Sequence, residues 1–330
     1  MKKYASLLRV VAIILALSFA SVWATSCSKK DDENKETVYY KVVFDPANGE
    51  ATSQTEVAEG SRLTPPLSPE KDNYIFIGWE YNKQIWDFEI HSVKENTTLT
   101  AMWVSASSVF SYQHIEDTET VMITGIKETP DIKVLNIPSI INGYTLTAIG
   151  DGAFASFQSD TLSTIVLPSS VNYVGDYAFE DFPINLSIEG TLSHVGEGAF
   201  SGALYLKSVK LSDAMDTISF SAFSGCTSLS GISIPKGIKT IEENAFKDCA
   251  SLSTIILPDS VEVIEDSAFH GCEAIKTVFF MGNADDMENI DIAEENDGLL
   301  DAKIYSYSEE APKDGSEAWH FDENGKPRIW

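Results

Sequence analysis

The chain has 330 residues, 43% of them apolar and 22% charged, with a formal net charge of −27. This is the composition of a folded protein long enough for two domains, not of a disordered one. So acidic a surface repels phosphate backbones and sets nucleic-acid binding aside, leaving either a solvated face or recognition of a basic partner.

Lys2, Lys3 and Arg9 precede the apolar run VVAIILALSFASVWA, which is too short and too near small residues for a spanning helix, so residues 1–26 are an export signal. The signal ends in ATSC. This resembles a bacterial lipobox, with Ala24 where an aliphatic residue is usual; ordinary cleavage near Ala24 is the alternative. The resemblance implies a diacylglycerol thioether on Cys27, which anchors the protein in a membrane through its N-terminal lipid. Loss of residues 1–26 leaves 20 basic against 50 acidic residues, a net of −30. Residues 27–37, with SKKDDENKE, form a charged tether that cannot bury enough apolar surface to fold. The tether also resembles the acidic export signal of Bacteroidota lipoproteins, which implies the outer membrane with the protein facing the cell exterior; the periplasmic face is the alternative.

Residues 38–104 make a first domain. Val42 and Phe44 alternate into the turn at Ala47-Asn48-Gly49, as a strand and turn do. Tyr74, Phe76, Trp79, Trp86, Phe88 and Trp103 supply the bulky core that so small a unit needs; a carbohydrate platform is the other reading of these rings. The Val-Phe strand, the NG turn, a Pro-rich stretch, NYIFIGW, W-x-F and the closing TLTAMW resemble the Listeria-Bacteroides repeat. That implies a small β-grasp-like spacer or weak binding module. Asn73 stands where glycine commonly precedes the tyrosine.

From residue 105 to 302 the chain repeats. Ala-Phe recurs at Ala153-Phe154, Ala178-Phe179, Ala199-Phe200, Ala222-Phe223, Ala245-Phe246 and Ala268-Phe269, in steps of 25, 21, 23, 23 and 23. In front of each pair runs L-x-x-[IV]-x-[ILF]-P-x-x-[VI]-x-x-I. Ile232 and Ile234 share one side of a short strand, which Pro235 ends by withholding an N–H. One such unit cannot bury its apolar face alone, so the units stack as a solenoid. The units resemble BspA-type leucine-rich repeats, which implies a mainly β fold: a right-handed superhelix of ~23-residue coils behind the β-grasp-like domain. Departures from the pattern are the insertion Asn142-Gly143-Tyr144, two extra residues near Ser159, and a shortened unit before Phe200. Ser108–Ile126 is expected to form a capping hairpin with Val121 and Ile123 against the first coil. Residues 303–330 resemble the closing segment of such proteins, with Tyr305, Trp319 and Trp330 sealing the last coil.

Cys226, Cys249 and Cys272 fall on one repeat position and therefore form a column. A disulfide needs Cβ atoms closer than parallel in-register side chains hold them, and a line of sulfurs without a histidine column is not a zinc site. Buried, unreactive thiols are the expectation. The eight acids between Asp285 and Asp301 invite calcium, but their spacing matches no loop with ligands at alternate positions. Neither a cofactor nor a catalytic motif is indicated. Glu242-Glu243 and Glu265-Asp266 are expected to form a solvated stripe, and the five histidines lie in unrelated contexts. Four Asp-Ser/Thr-apolar triplets, at Thr161, Thr217, Ser260 and Ser267, resemble O-glycosylation acceptors.

The candidate ligand face is the set of strand positions alternating with the buried ones, principally Thr164, Val166, Ser208, Lys210, Ser233, Thr254, Ile256, Thr277 and Phe279. Val134, Asn136, Asn185, Ser187 and Gly231 complete it. The expectation is a monomeric surface lipoprotein, not an enzyme, whose solenoid binds an extracellular protein on this face, which lacks the Trp, Tyr and Arg anchors of binding hot spots. Family resemblance implies adhesion to host or neighbouring cells; an accessory glycan-binding lipoprotein is the alternative.

Overall fold

A computed structural model describes residues 37–155, 157–313 and 316–330. Cys27, the export signal and nearly all of the tether lie outside the described residues. Residues Tyr39–Trp330 belong to one unit.

The first domain is a five-stranded sheet made of β1 (Tyr39–Asp45), β2 (Ser53–Ala58), β3 (Tyr74–Tyr81), β4 (Gln84–Ile85) and β5 (Thr97–Ser105). Their order is β2-β1-β5-β3-β4, with β1 and β5 parallel and the other neighbours antiparallel. Alternation puts Val42, Phe44, Trp79, Leu99 and Ala101 into the core beside Leu63, Trp86 and Val93, with Phe76, Phe88 and Trp103 half-buried against them. Tyr74 departs from the expectation: it starts β3 outside that core and is exposed. Its neighbour Ile75 points the other way, into the solenoid core with Ala106 and Val109. The two domains therefore share a continuous apolar contact.

After α1 (Ala106–Val109), β6 (Phe110–His114) and β7 (Thr120–Ile126) form the expected hairpin, with Val121 and Ile123 fully buried. The coils follow with β8 (Val134–Asn136), β9 (Ile140–Ile141), β10 (Tyr144–Ile149), β11 (Thr164–Leu167), β12 (Tyr173–Val174), β13 (Asn185–Ile188) and β14 (His194–Val195). Then come β15 (Thr217–Ile218), β16 (Gly231–Ser233), β17 (Thr240–Ile241), β18 (Thr254–Leu257), β19 (Val263–Ile264) and β20 (Thr277–Phe280). The last elements are α2 (Ala284–Glu288), β21 (Asp291–Ile292), α3 (Asp297–Leu300), β22 (Lys303–Tyr307), β23 (Ala318–Phe321) and β24 (Pro327–Ile329).

Two parallel stacks result. One holds β8, β11 and β13, then β16, β18, β20, β22 and β23; the other continues β7 through β10, β12 and β14, then β15, β17, β19 and β21. Both stacks break at the same turn. The 21-residue step from Phe179 to Phe200 shortens the coil before it, and Leu192 instead bridges the segment after it: its N–H donates to the Lys210 carbonyl and its own carbonyl accepts from Ser212. Ser208 and Lys210 are exposed, as expected of the candidate face, but lie on no strand.

The third side of the solenoid is a column of rings. Phe154, Phe179, Phe200, Phe223, Phe246 and Phe269 stack at 5.0 to 5.7 Å between centroids and within 13° of parallel. Phe110 meets the first of them edge-on. The turn that presents each ring needs a left-handed residue just before the alanine: Gly152, Tyr177, Gly198, Ser221, Asn244 and Ser267 all have φ between 52° and 59°. Glycine takes that conformation freely, whereas the other side chains are strained in it.

At the C-terminal end β22 continues the ladder of β20 in register, and β23 and β24 close the edge as an antiparallel pair. Trp319 is fully buried and donates its Nε1–H to the Phe280 carbonyl at 2.8 Å, sealing the last coil. Trp330 does not join it. It lies outside the core, stacked on His320 at 3.9 Å, with its indole N–H on the Ser308 carbonyl.

Candidate functional site

Strand alternation positions the candidate face. Leu135, Ile165, Leu186, Ile232, Ile255 and Val278 turn inward and are buried, so the residues between them turn outward. Asn136, Ser187 and Ser233 are exposed; Thr164, Val166, Asn185, Thr254, Ile256 and Thr277 are half-buried, because neighbouring strands cover part of each. Phe279 is a correction. It occupies an outward position of β20 but is only 8% exposed, since Trp319 and Tyr305 from the closing strands pack on its ring at 5.3 and 6.2 Å. The face therefore stops short of β20's second half.

Both ends of the face are walled. At the first coils a groove of about 520 Å³ opens between Asn136, Val166, Pro138 and Pro168 on the solenoid and the segment from Leu67 to Tyr74 with Trp103 on the first domain. At the other end a smaller groove of about 250 Å³ includes Lys210, Ser233 and Ile256, overhung by Phe321 of the closing hairpin. The first groove is the more acidic: Glu70, Asp72 and Glu189 line it with one cation, Lys71. The Lys71 ammonium is already engaged, lying 4.6 Å from the Tyr74 ring and 5.5 Å from that of Trp103 and donating to the Ala47 carbonyl at 3.2 Å.

The sequence reading missed this wall. Leu67, Lys71 and Tyr74 lie 62 to 99 residues from Asn136 and Val166, the strand positions they face, and no local periodicity links the two. A signal was nonetheless present in two departures from the family pattern, which meet one another. The Asn73 side-chain Oδ1 accepts from the Gly143 N–H at 2.8 Å, and the Asn73 backbone N–H donates to the Ile140 carbonyl at 3.0 Å. Asn73 also holds φ at 69°, the conformation that its glycine counterpart would adopt freely.

The three cysteines are free and buried. Each thiol donates to a phenylalanine carbonyl of the preceding coil: Cys226 to Phe200, Cys249 to Phe223 and Cys272 to Phe246, at 3.0 to 3.2 Å. Burial pushes the Cys226 thiol up to about 12. Cys249 is also raised, through its hydrogen bond with Cys272 and its burial. Such groups are poor nucleophiles.

The carboxylates before the Ala-Phe turns cap backbone. Asp151 accepts from the Asp176 N–H, Asp176 from Glu197, Glu242 from Phe220 and Glu265 from Glu243, at 2.7 to 3.0 Å. They tie successive coils together as well as facing solvent. In the acidic segment, Asn283 and Asp286 form a capping box on α2. Asn296, unremarked in the sequence, is fully buried: its Oδ1 accepts from the Phe269 N–H and its Nδ2 donates to the carbonyls of Glu265, Ala293 and Glu294. It thus ends the Ala-Phe ladder where a seventh turn would stand. Among the described residues no three His, Cys, Asp or Glu side chains converge as a metal site. Of the four triplet hydroxyls, Thr161 is exposed, Thr217 is half-buried, Ser260 donates to the Ile238 carbonyl and Ser267 is buried against Glu295. Ser267 is thereby withdrawn from modification in the folded chain.

The family model described as BspA type leucine rich repeat region matches residues 129–201 and 184–291, and that described as Listeria-Bacteroides repeat domain matches residues 40–102. Two Evansella cellulosilytica proteins with "membrane protein" in their names are each 40% identical over 67 residues, 19% of this chain. The match spans a tenth or less of either relative. Among solved structures, a leucine rich cell surface protein from Faecalibacterium prausnitzii is 27% identical over 55% of this chain and 40% of its own, with a TM-score of 0.38. The T. pallidum leucine rich repeat protein is 26% identical over 58% of this chain and 81% of its own, with a TM-score of 0.36.

Proposed function

For a chain that carries BspA-type leucine-rich repeats behind a Listeria-Bacteroides repeat domain, we propose a binding function: a lipid-anchored cell-surface protein whose strand face captures a protein ligand. The observation that carries this reading is the walled face itself. Its strands present small hydroxyl and β-branched side chains between two flanking rims, an arrangement suited to broad contact with an extended partner. Specificity on such a scaffold belongs to the surface positions, which the fold leaves free to vary. Lipidation at Cys27 would place the face outside the outer membrane, in reach of host or neighbouring cells.

The experiment has two arms. Protease shaving of intact cells is compared for wild type and Cys27→Ala, followed by an immunoblot for the solenoid; protection of the wild type from protease would discard surface display. Purified protein is then offered to an array of extracellular-matrix proteins and to a glycan array. Capture by proteins, reduced when Ser233 or Thr254 is replaced by arginine, is the expected result. Tyr74 and Trp103 at the rim of the larger groove favour glycan capture as the second reading, since sugar faces stack on such rings; glycan capture without protein capture would establish it instead.

A further inference from the structure

We propose that the larger groove, between the first domain and the first coils, takes an extended polypeptide segment bearing arginine or lysine beside apolar residues. This rests on the protein-binding reading above and names the class of ligand for one end of that face.

Three properties of the groove favour this occupant. Its charge is negative: Glu70, Asp72 and Glu189 face Lys71 alone, whose ammonium is spent on two rings and a carbonyl. Its lining offers acceptors: beside the carboxylates stand the hydroxyls of Ser68, Ser139 and Ser169 and the Asn136 amide, while Pro69, Pro138 and Pro168 have no N–H to offer. Guanidinium and ammonium groups bring donors and positive charge to just such a surface, and a guanidinium stacks on aromatic faces as well. The rim is apolar: Leu67 is 95% exposed and Tyr74 is 39% exposed beside Trp103.

The shape and the surrounding field agree with the chemistry. Asn136, Val166 and Glu189 lie at or just past the ends of the neighbouring strands β8, β11 and β13, so at about 4.8 Å per strand the groove crosses about 10 Å, the span of about three extended residues. Around it the mature chain has a net charge of −30 once residues 1–26 are removed, a field that raises the encounter rate of a cationic segment and falls with salt. An acidic segment would meet repulsion at the same rim.

The test uses the full mature protein, fluorescently labelled, on an array of immobilised random nonapeptides read at low and high salt. Beside wild type are run Leu67→Ser, Glu189→Lys and, as a charge-matched control outside both grooves, Glu273→Lys; all three positions are exposed, so folding is retained and is checked by thermal melting. The expected result is capture of peptides enriched in arginine or lysine next to apolar residues. Signal should fall at least tenfold in Leu67→Ser and Glu189→Lys, persist in Glu273→Lys, and weaken at high salt. Absence of capture, capture of peptides without cationic enrichment, or capture indifferent to both groove variants would overturn the proposal. The protein-binding reading is judged separately, on the matrix-protein array. Protein capture there that only Ser233→Arg removes would leave that reading standing and this one refuted.

Discussion

Asn73 and Gly143 are joined across the domain boundary by a hydrogen bond of 2.8 Å from the glycine N–H to the asparagine Oδ1. The Asn73 carbonyl also accepts from Ala106 at 2.8 Å, so one residue ties β3, α1 and the insertion before β10 together. Asn73→Gly keeps the left-handed backbone but loses the side-chain bond, at about 1 kcal/mol. Asn73→Ala loses the bond and adds about 1 kcal/mol or more of backbone strain at φ 69°. Denaturant unfolding should therefore rank the wild type above the glycine variant and the glycine variant above the alanine one.

The buried thiols make stability depend on alkaline pH. Below about pH 8.5 both the folded and the unfolded thiol are protonated. As pH rises from there to about 12, the Cys226 thiol of the unfolded chain ionises while the native one stays protonated. The unfolded state then binds fewer protons, and stability falls with pH over that window. Melting temperature measured from pH 8 to 11 should decline, and Cys226→Ala should decline less steeply. In the same range, iodoacetamide should label Cys226, Cys249 and Cys272 only after unfolding.

Asn296 terminates the ladder of Ala-Phe turns. Asn296→Ala leaves the Phe269 N–H without its acceptor and takes one donor from each of the Glu265, Ala293 and Glu294 carbonyls, a loss of about 2–3 kcal/mol. Asn296→Asp should be worse, because a carboxylate would face those carbonyls with no proton to donate. Urea unfolding gives the magnitudes, and amide exchange should show the loss concentrated around residues 264–300.

Ser221 and Gly237 test the coil geometry in opposite directions. Ser221 sits at φ 52° before its alanine, so Ser221→Gly should stabilise by about 0.5–1 kcal/mol, the relief of strain exceeding glycine's entropic cost. At Gly237 a Cβ would run into the Asp213 and Met215 carbonyls of the preceding coil. Gly237→Ala should cost about 1–3 kcal/mol, read as a lower melting temperature.

The Phe ladder sets the scale of the whole solenoid. Phe223 is fully buried between Phe200 and Phe246, at 5.4 and 5.3 Å. Phe223→Ala should cost about 3–5 kcal/mol, more than any face substitution, and calorimetry would separate the two classes.

The sequence by itself determined the solenoid. The Ala-Phe spacing fixed the period, alternation separated inward Ile232 and Ile255 from outward Ser233 and Ile256, and a shared repeat position aligned the cysteines; each is a local or periodic property that stacking can only repeat. Tertiary structure decided the rest. It buried Phe279 under Trp319 and left Trp330 outside. Ser208 and Lys210 lost their strand because a short coil upstream shifted the backbone pairing. Leu67, Tyr74 and Trp103 came to face Asn136 and Val166 through contacts between residues far apart in the chain. Those outcomes depend on which surfaces meet after the coils have stacked, and neither hydrophobic period nor residue type within one unit specifies that meeting.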